Sequence, residues 1–264
     1  MQIIRLITLV IVLGILSTAT AVENKPSLSD VVIITADNWC PYTCKDSDVH
    51  KGLIVDVVKA AFNEVELTAK YEYRVSWTRA IQNVKFGLAD VLLAADEENT
   101  KDVILATDFY FYDETIFAVL KNSDILLNEA KDLLNYKIGV LGDYGYQNGG
   151  IWEEYIENHP NSTKISTSQG EPHLLNLLVR ERIEIAILNW DVAKNALHNN
   201  PELTNIEIIR KDAHSKLTIG FTRSKRGEHH RTMFVKGFNQ LVKTNKLKEI
   251  YNRYEVELPN FTNK

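Results

Sequence analysis

The sequence predicts an α/β protein of two lobes, in which each lobe is a mixed β-sheet flanked by helices. Three observations favour this fold class. Strand-like segments alternate with amphipathic helical segments, the alternation begins again about half-way along the chain, and a helical tail follows the last strand. The 264 residues provide enough material for one large or two medium domains. We expect residues 22–120 and 218–264 to form lobe 1, and residues 121–217 to form lobe 2.

The first series of elements begins with a short apolar strand. Apolar residues then recur at helical spacing, at Leu53, Val57 and Ala61, which predicts a helix with one buried stripe. Short apolar or β-branched runs predict the strands that follow. In order, the predicted elements are a strand at Val31–Thr35, a helix at Gly52–Leu67, a strand at Tyr71–Val75, a helix at Thr78–Phe86, and strands at Val91–Ala95 and Thr115–Leu120.

The second series repeats the pattern and ends in a long amphipathic helical region, Arg231–Tyr254. Strand–helix alternation of this kind implies a parallel or mixed sheet covered by helices. The predicted strands are Lys137–Leu141, Lys164–Thr167, Ile183–Leu188, Ile206–Ile209 and Leu217–Phe221, and the predicted helices are Asn148–Asn158, His173–Arg180 and Asp191–Leu197.

The N-terminal segment indicates export. Met1–Arg5 carries one positive charge, and the 11-residue apolar run Leu6–Leu16 follows it. Small residues come next and give an Ala-x-Ala pattern at Ala19 and Ala21, which is typical of a cleavable secretory signal. The alternative, a membrane anchor, needs roughly 18–20 apolar residues. We therefore predict a signal peptide at 1–21 and a periplasmic mature protein.

The overall charge argues against nucleic acid as a partner. The formal net charge is −5, and the sequence has no basic stripe that would neutralise phosphates. No cluster of His or Cys has the spacing of a metal site, and no phosphate-binding or catalytic-triad motif is present. We expect a monomer with neither a cofactor nor a metal ion.

The two cysteines lie close together, at Cys40 and Cys44. In an oxidising compartment, a disulfide that closes this small loop is the natural interpretation. Its expected role is to fix a loop that presents Trp39 and Tyr42, because a short loop adds little to global stability. The alternative is a pair of free thiols in a turn.

In open α/β sheets, ligands bind beyond the carboxyl ends of the strands. The loops at those ends are rich in aromatic, carboxylate, amide and Arg side chains, a composition that suits a small polar ligand. These loops are Ala36–Lys51, Ser76–Arg79, Ala95–Asp102, Leu141–Gly150, Ser168–His173 and Leu188–Asp191.

Aromatic side chains in these loops are candidates for ligand stacking. Trp39, Tyr42 and Trp77 are predicted to form a wall, since aromatic faces favour cations and planar groups. Tyr144 and Tyr146 lie in a Gly-rich loop whose backbone amides are suited to an acidic group. The alternatives are that the wall residues belong to the core and that the Gly-rich loop is a plain turn.

Charged side chains complete the candidate site. Arg79, at the start of a predicted helix, is the candidate anion clamp, and the alternative is a surface Arg paired with a nearby acid. We expect Asp56 to have a capping or inter-strand role, and His229 and His230 to lie in a solvated loop. Candidate partners for a ligand ammonium, each with the alternative of a solvated loop residue, are Asp96, Glu98, Glu171, Asn189 and Asp191.

Five motifs, in order, resemble the extracellular solute-binding proteins of family 3, the polar amino-acid receptors of ABC importers. The resemblance covers nearly the whole mature chain, and the Gly-x-Tyr-Gly-Tyr motif looks like that of a divergent branch. The five motifs are Ala-Asp-Asn-Trp-Cys-Pro-Tyr at 36–42, Gly-Leu-Ile-Val-Asp-Val-Val at 52–58, Ser-Trp-Thr-Arg-Ala-Ile at 76–81, Phe-Gly-Leu-Ala-Asp at 86–90 and the closing helices at 238–254. The motif of the divergent branch is Gly-Asp-Tyr-Gly-Tyr at 142–146.

The resemblance implies a type II periplasmic-binding-protein fold that captures a small amino-acid-like ligand between its lobes and presents it to a membrane permease. It places Tyr110 in the segment that follows the family's ligand-clamping Arg, but that Arg position falls on Thr100, with Lys101 adjacent. The Asp that holds a ligand ammonium in the family falls on Asn189, with Asp191 two residues on. An Arg-to-Thr change removes a bidentate carboxylate fork.

Two other functions fit the same scaffold. Some members of the superfamily act as dehydratases on prephenate-like acids, for which Glu171 is the candidate general acid. A ligand-sensing domain is the other alternative, and the altered clamp positions motivate it.

Overall fold

Strands and helices follow one another in two series, as the apolar periodicity predicts. The predicted signal peptide and Glu98 lie outside the described residues. The structure, a computed structural model, describes residues 31–45, 50–97, 100–142, 144–146, 150–166, 168 and 170–261, with the backbone alone at 212–214.

In the described part of the chain there are nine strands and seven α-helices, with short 3-10 turns at Ala130–Asn135 and Pro201–Leu203. The strands are β1 Val31–Ala36, β2 Thr68–Tyr73, β3 Val91–Ala95, β4 Val103–Leu105, β5 Phe111–Leu120, β6 Ile138–Leu141, β7 Ser162–Ile165, β8 Ile185–Asn189 and β9 Ile206–Thr222. The helices are α1 Leu53–Asn63, α2 Trp77–Lys85, α3 Ile151–Glu157, α4 Pro172–Val179, α5 Trp190–Asn199, α6 Lys225–Val242 and α7 Lys246–Arg253.

The strands form one mixed sheet in the order β2-β1-β3-β9-β5-β8-β6-β7, with β4 paired to β9. In the first half, β1 runs parallel to β2 and β3. In the second half, β6 runs parallel to β7 and β8. The antiparallel pair of β5 and β9 joins the two halves. The lobe boundaries at 120/121 and 217/218 stay a prediction.

The strand β9 differs from its prediction. Two separate strands, Ile206–Ile209 and Leu217–Phe221, are expected, but the chain continues as one strand of 17 residues. Its polar middle pairs with β5 through backbone hydrogen bonds, which need no apolar pattern. The three-residue β4 is also unpredicted, because so short a strand depends on its pairing with β9.

The core of the first half packs α1 and α6 against the sheet. Phe234 and Phe238 of α6 are fully buried and stack with their ring centroids 5.8 Å apart. Gly237 allows the two helices to approach, since a Cβ there would lie 1.8 Å from the carbonyl oxygen of Ala61. This packing fixes the position of β1 and of the loop that follows it.

The second half has one core on each side of its strands. Leu174 and Leu178 of α4 are fully buried in one core. Trp152 and Ile156 of α3 lie in the other, where Phe117 of β5 meets the Trp152 ring at 5.0 Å. Both cores therefore hold the carboxyl ends of β6 and β8 in place.

The C-terminal helical region begins earlier than predicted and is divided in two. Ser224 caps α6 by accepting a hydrogen bond from the backbone N–H of Gly227 at 3.0 Å. The expectation of a solvated loop at His229 and His230 is wrong, because both lie in α6 and His230 is 2% exposed. Within the described residues, no helix combines the length and apolarity that crossing a bilayer requires.

The expectation that Asp56 has a capping or inter-strand role is also wrong. Its Oδ2 accepts hydrogen bonds from the Tyr254 hydroxyl at 2.7 Å and from Arg253 at 3.0 Å. Asp56 therefore ties α1 to the end of α7.

Candidate functional site

The loop after β1 is closed on itself. The predicted disulfide between Cys40 and Cys44 is confirmed, with the two Cα atoms 4.7 Å apart. The backbone N–H of Trp39 donates to Thr43 at 2.7 Å, and its carbonyl accepts from Tyr42 at 2.9 Å. The Trp39 and Tyr42 rings stack at a centroid distance of 4.4 Å, and both side chains are buried.

These two aromatic residues bond to groups of the second half. The indole Nε1–H of Trp39 donates to Oε1 of Glu171 at 3.3 Å. The Tyr42 hydroxyl donates to Oδ2 of Asp191 at 2.6 Å. The loop after β1 therefore meets the N-termini of α4 and α5, which follow β7 and β8 at their carboxyl ends.

A buried network of hydrogen bonds connects these groups to β5. The backbone N–H of Asn189 donates to Oε2 of Glu171 at 2.9 Å, and its side-chain amide donates to Oδ1 of Asp113 at 2.6 Å. The side-chain oxygen of Asn189 accepts from the N–H of Val192 at 2.9 Å and so caps α5. Asn189 is thus held on all sides by the protein.

Two carboxyl groups at this site, those of Glu171 and Asp191, are difficult to ionise. Burial is the main cause that raises the pKa of Glu171 to about 8, and the charges of Asp113 and Asp37 add to it. Burial also raises the pKa of Asp191, against the hydrogen bond from Tyr42. The pKa of Tyr144 lies well above its ordinary value because of burial and the charges of Asp37, Glu171 and Asp113.

A small cavity of about 30 Å³ lies beside this network, large enough for about two water-sized groups. The Tyr144 ring stands edge-on to both Trp39 and Trp77, at 6.3 Å from each ring. Asp96 and Asp113 bring two carboxylates to the same space. The described residues of the lining are Trp39, Trp77, Ala94, Asp96, Asp113, Tyr144, Gly145 and Leu217.

The structure brings most of the predicted site residues to this region. Tyr146 is buried beside the cavity, where its phenol oxygen accepts from the N–H of Leu141 at 2.8 Å. The predicted residues at or next to the cavity are Trp39, Tyr42, Trp77, Asp96, Tyr144, Tyr146, Glu171 and Asn189.

Arg79 and Tyr110 are not brought to the cavity. Arg79 is exposed on α2, where its backbone N–H is capped by Ser76 at 3.4 Å. Tyr110 lines a separate open groove of about 770 Å³, and its hydroxyl donates to the carbonyl of Asn260 at 3.1 Å. Thr100 is buried, and its hydroxyl donates to the backbone carbonyl of Asp96.

Sequence reasoning missed Asp37 and Asp113. Asp37 comes directly after β1, in a loop whose predicted site residues are aromatic. Asp113 lies in β5, where Phe111, Asp113 and Thr115 are buried on one face. A carboxylate in phase with the apolar residues of a strand is a signal that the sequence does contain.

A mixed α/β protein whose two sheet halves are joined by β5 and β9, with a small cavity of aromatic and carboxylate residues beside the junction, has the architecture of the periplasmic binding proteins. The family model of the bacterial extracellular solute-binding proteins, family 3, matches residues 31–257. The chain belongs to this family.

Solved structures show the same fold at low sequence identity. An ancestral arginine-binding protein bound to glutamine superposes with a TM-score of 0.71 at 17% identity, over 86% of this chain and 99% of that one. A histidine kinase sensor domain with similarity to periplasmic binding proteins superposes with a TM-score of 0.70 at 16% identity, over 85% of this chain and 95% of that one. The arginine-, lysine-, histidine-binding protein ArtJ from Geobacillus stearothermophilus superposes with a TM-score of 0.68 at 17% identity, over 88% of this chain and 97% of that one. A comparison with curated proteins finds no match.

Proposed function

We propose that this protein is exported to the periplasm, binds a small amino-acid-like ligand in the cavity between two lobes, and presents it to the permease of an ABC importer. The observation that carries the proposal is the cavity itself, which lies between the two halves and is lined by aromatic and carboxylate groups. Membership of family 3 and the fold shared with arginine-binding proteins support it.

Closure of the lobes would complete the site. The Trp39–Glu171 and Tyr42–Asp191 hydrogen bonds both join the proposed lobe 1 to the proposed lobe 2. Opening about β5 and β9 breaks them and exposes the cavity, whereas closure re-forms them around the ligand. The ligand drives closure by the difference between its affinities for the closed and open forms.

The test is to purify the protein from its periplasmic fraction and to identify small molecules released on denaturation by mass spectrometry. Titration calorimetry against amino acids, amines and small carboxylates follows, with N-terminal sequencing to locate the signal cleavage. Calorimetry without heat for any ligand, together with a protein that releases nothing, would contradict the proposal.

A second candidate function is catalytic, and one observation favours it. A pKa of about 8 at Glu171 suits a general acid that acts near neutral pH. Turnover of prephenate or arogenate that persists through purification and disappears in Glu171→Gln would favour the enzyme over the binding protein.

A further inference from the structure

The charged side chains in the described lining of the cavity are all acidic. Asp96 and Asp113 supply carboxylates and are buried, at 7% and 9% exposure. Among the described lining residues there is no Lys or Arg. The described walls therefore favour a positive group over a negative one.

Two further carboxyl groups act on the same space from behind the walls. Glu171 accepts from Trp39 and from the backbone of Asn189, and both donors are neutral. Asp37 and Glu171 both raise the pKa of Tyr144, whose ring is part of the lining. The negative potential thus reaches the cavity from β5 and from the loop after β1, and the start of α4 adds to it only above the pKa of Glu171, about 8.

The aromatic rings around the cavity favour the same sign of charge. Trp39, Trp77 and Tyr144 surround it, with Tyr144 edge-on to both indoles. The faces of such rings attract ammonium and guanidinium groups, most strongly where water is excluded. This preference is independent of the carboxylates.

Among the described residues, the basic side chains that would hold a ligand carboxylate lie outside the lining of the cavity. Arg79 is exposed on α2. Thr100, at the position of the family's Arg, is turned onto the backbone of Asp96. Lys211 and Lys194 line the groove at Tyr110, on the other side of β5, where Lys211 lies 3.5 Å from the centre of the Trp190 ring.

We infer that the cavity selects an organic cation, an amine or a guanidine, and that it does not require a carboxylate on the ligand. This inference rests on the proposed function, because it names the ligand class of the same cavity. It separates the protein from a receptor that grips both charged ends of an α-amino acid.

Matched pairs of ligands that differ only by a carboxylate test the inference in the native protein. Titration calorimetry at pH 8 compares agmatine with arginine, histamine with histidine and cadaverine with lysine. We expect at least one amine to bind at least tenfold more tightly than its amino acid. Succinate and glutamate serve as anionic probes and are expected not to bind.

The pH dependence gives a second readout. A cation beside Glu171, Asp113 and Asp37 favours the ionised carboxylate, so binding should release a proton from Glu171. Agmatine keeps its guanidinium charge throughout this range. Its affinity should therefore rise between pH 6 and pH 8.5, and the heat of binding should depend on the ionisation enthalpy of the buffer.

A matched pair of variants locates the effect. Asp96→Asn should weaken the amine at least tenfold, whereas Asp124→Asn, an exposed carboxylate far from the cavity, should leave the affinity unchanged. Thermal melts check that both variants are folded, and the ligand pairs in the native protein do not depend on them.

The outcomes separate the inference from the proposed function. Amino acids or anions that bind as tightly as the amines would overturn the inference and leave the binding function intact. If none of these ligands binds and the purified protein carries no small molecule, both the inference and the proposed function fail.

Discussion

Replacing Glu171 by glutamine tests whether the cavity holds this carboxyl group in its protonated form. Glutamine keeps the shape and the acceptor for the N–H of Asn189, but it cannot ionise. It loses the long 3.3 Å bond from Trp39, which favours the ionised form of Glu171 but has a smaller effect than burial. The effect of the charge is therefore read from how the difference in the free energy of unfolding between the two proteins changes with pH.

The expected magnitude follows from the pKa of Glu171, about 8 in the folded protein against an ordinary 4.5. Between these values the folded protein keeps a proton that the unfolded chain has released, so the free energy of unfolding falls as the pH rises. The pKa difference, about 3.5 units at 1.36 kcal/mol each, sets an upper limit of about 5 kcal/mol. Opening of the cleft hydrates the carboxylate without unfolding, so we expect a smaller value, of at least about 1.4 kcal/mol, or one pKa unit.

The assay is urea and thermal denaturation of the native protein, Glu171→Gln and the exposed control Glu202→Gln at pH 5 and pH 8.5 without added ligand. The Tm of Glu171→Gln minus the Tm of the native protein should be at least about 3 °C larger at pH 8.5 than at pH 5. The comparison reports Glu171 together with its interaction with the charges of Asp113 and Asp37. An equal difference at both pH values would refute the argument, since Glu171 would then ionise normally.

Four other variants, at three places in the structure, test single contacts. Tyr144→Ala removes one wall of the cavity and should weaken agmatine about tenfold in calorimetry, whereas Tyr144→Phe should retain the affinity. Tyr42→Phe removes the 2.6 Å bond to Asp191, worth about 1.5–3 kcal/mol for a charged acceptor, so ligand affinity should fall at least tenfold and small-angle scattering should show a more open shape. Cys40→Ser with Cys44→Ser should lower the free energy of unfolding by about 2 kcal/mol in urea, because the closed loop is short, and should weaken ligand binding more than this stability loss implies.

Most of the fold could be predicted because apolar periodicity is a local signal. The stripe of Leu53, Val57 and Ala61 is sufficient to predict α1, and all three side chains are buried. The continuity of β9 could not be predicted, because its polar middle is a strand only through pairing with β5, more than 80 residues away for most partners. Pairing between distant segments has no local pattern.

The site was predictable where it follows a general rule of α/β folds. Trp39 and Glu171 were found because ligand sites lie beyond the carboxyl ends of strands. Asp113 was missed because the predicted strand began at Thr115, two residues too late, which left it outside the buried alternation of β5. The register of a strand decides which of its side chains face a cavity. A strand that is predicted to begin too late omits the first of these side chains.

The size of the cavity determines how binding must occur. About 30 Å³ is roughly a tenth of the volume that ordinary ligand pockets provide, so a ligand as large as agmatine enters only if the halves separate. The separation costs the Trp39–Glu171 and Tyr42–Asp191 bonds, a few kcal/mol together. When the halves close without a cation, Glu171 is buried again beside Asp113 and Asp37, and these surroundings favour its protonated form. Closing around a cation needs no such proton, and binding and pH are therefore coupled through one carboxyl group.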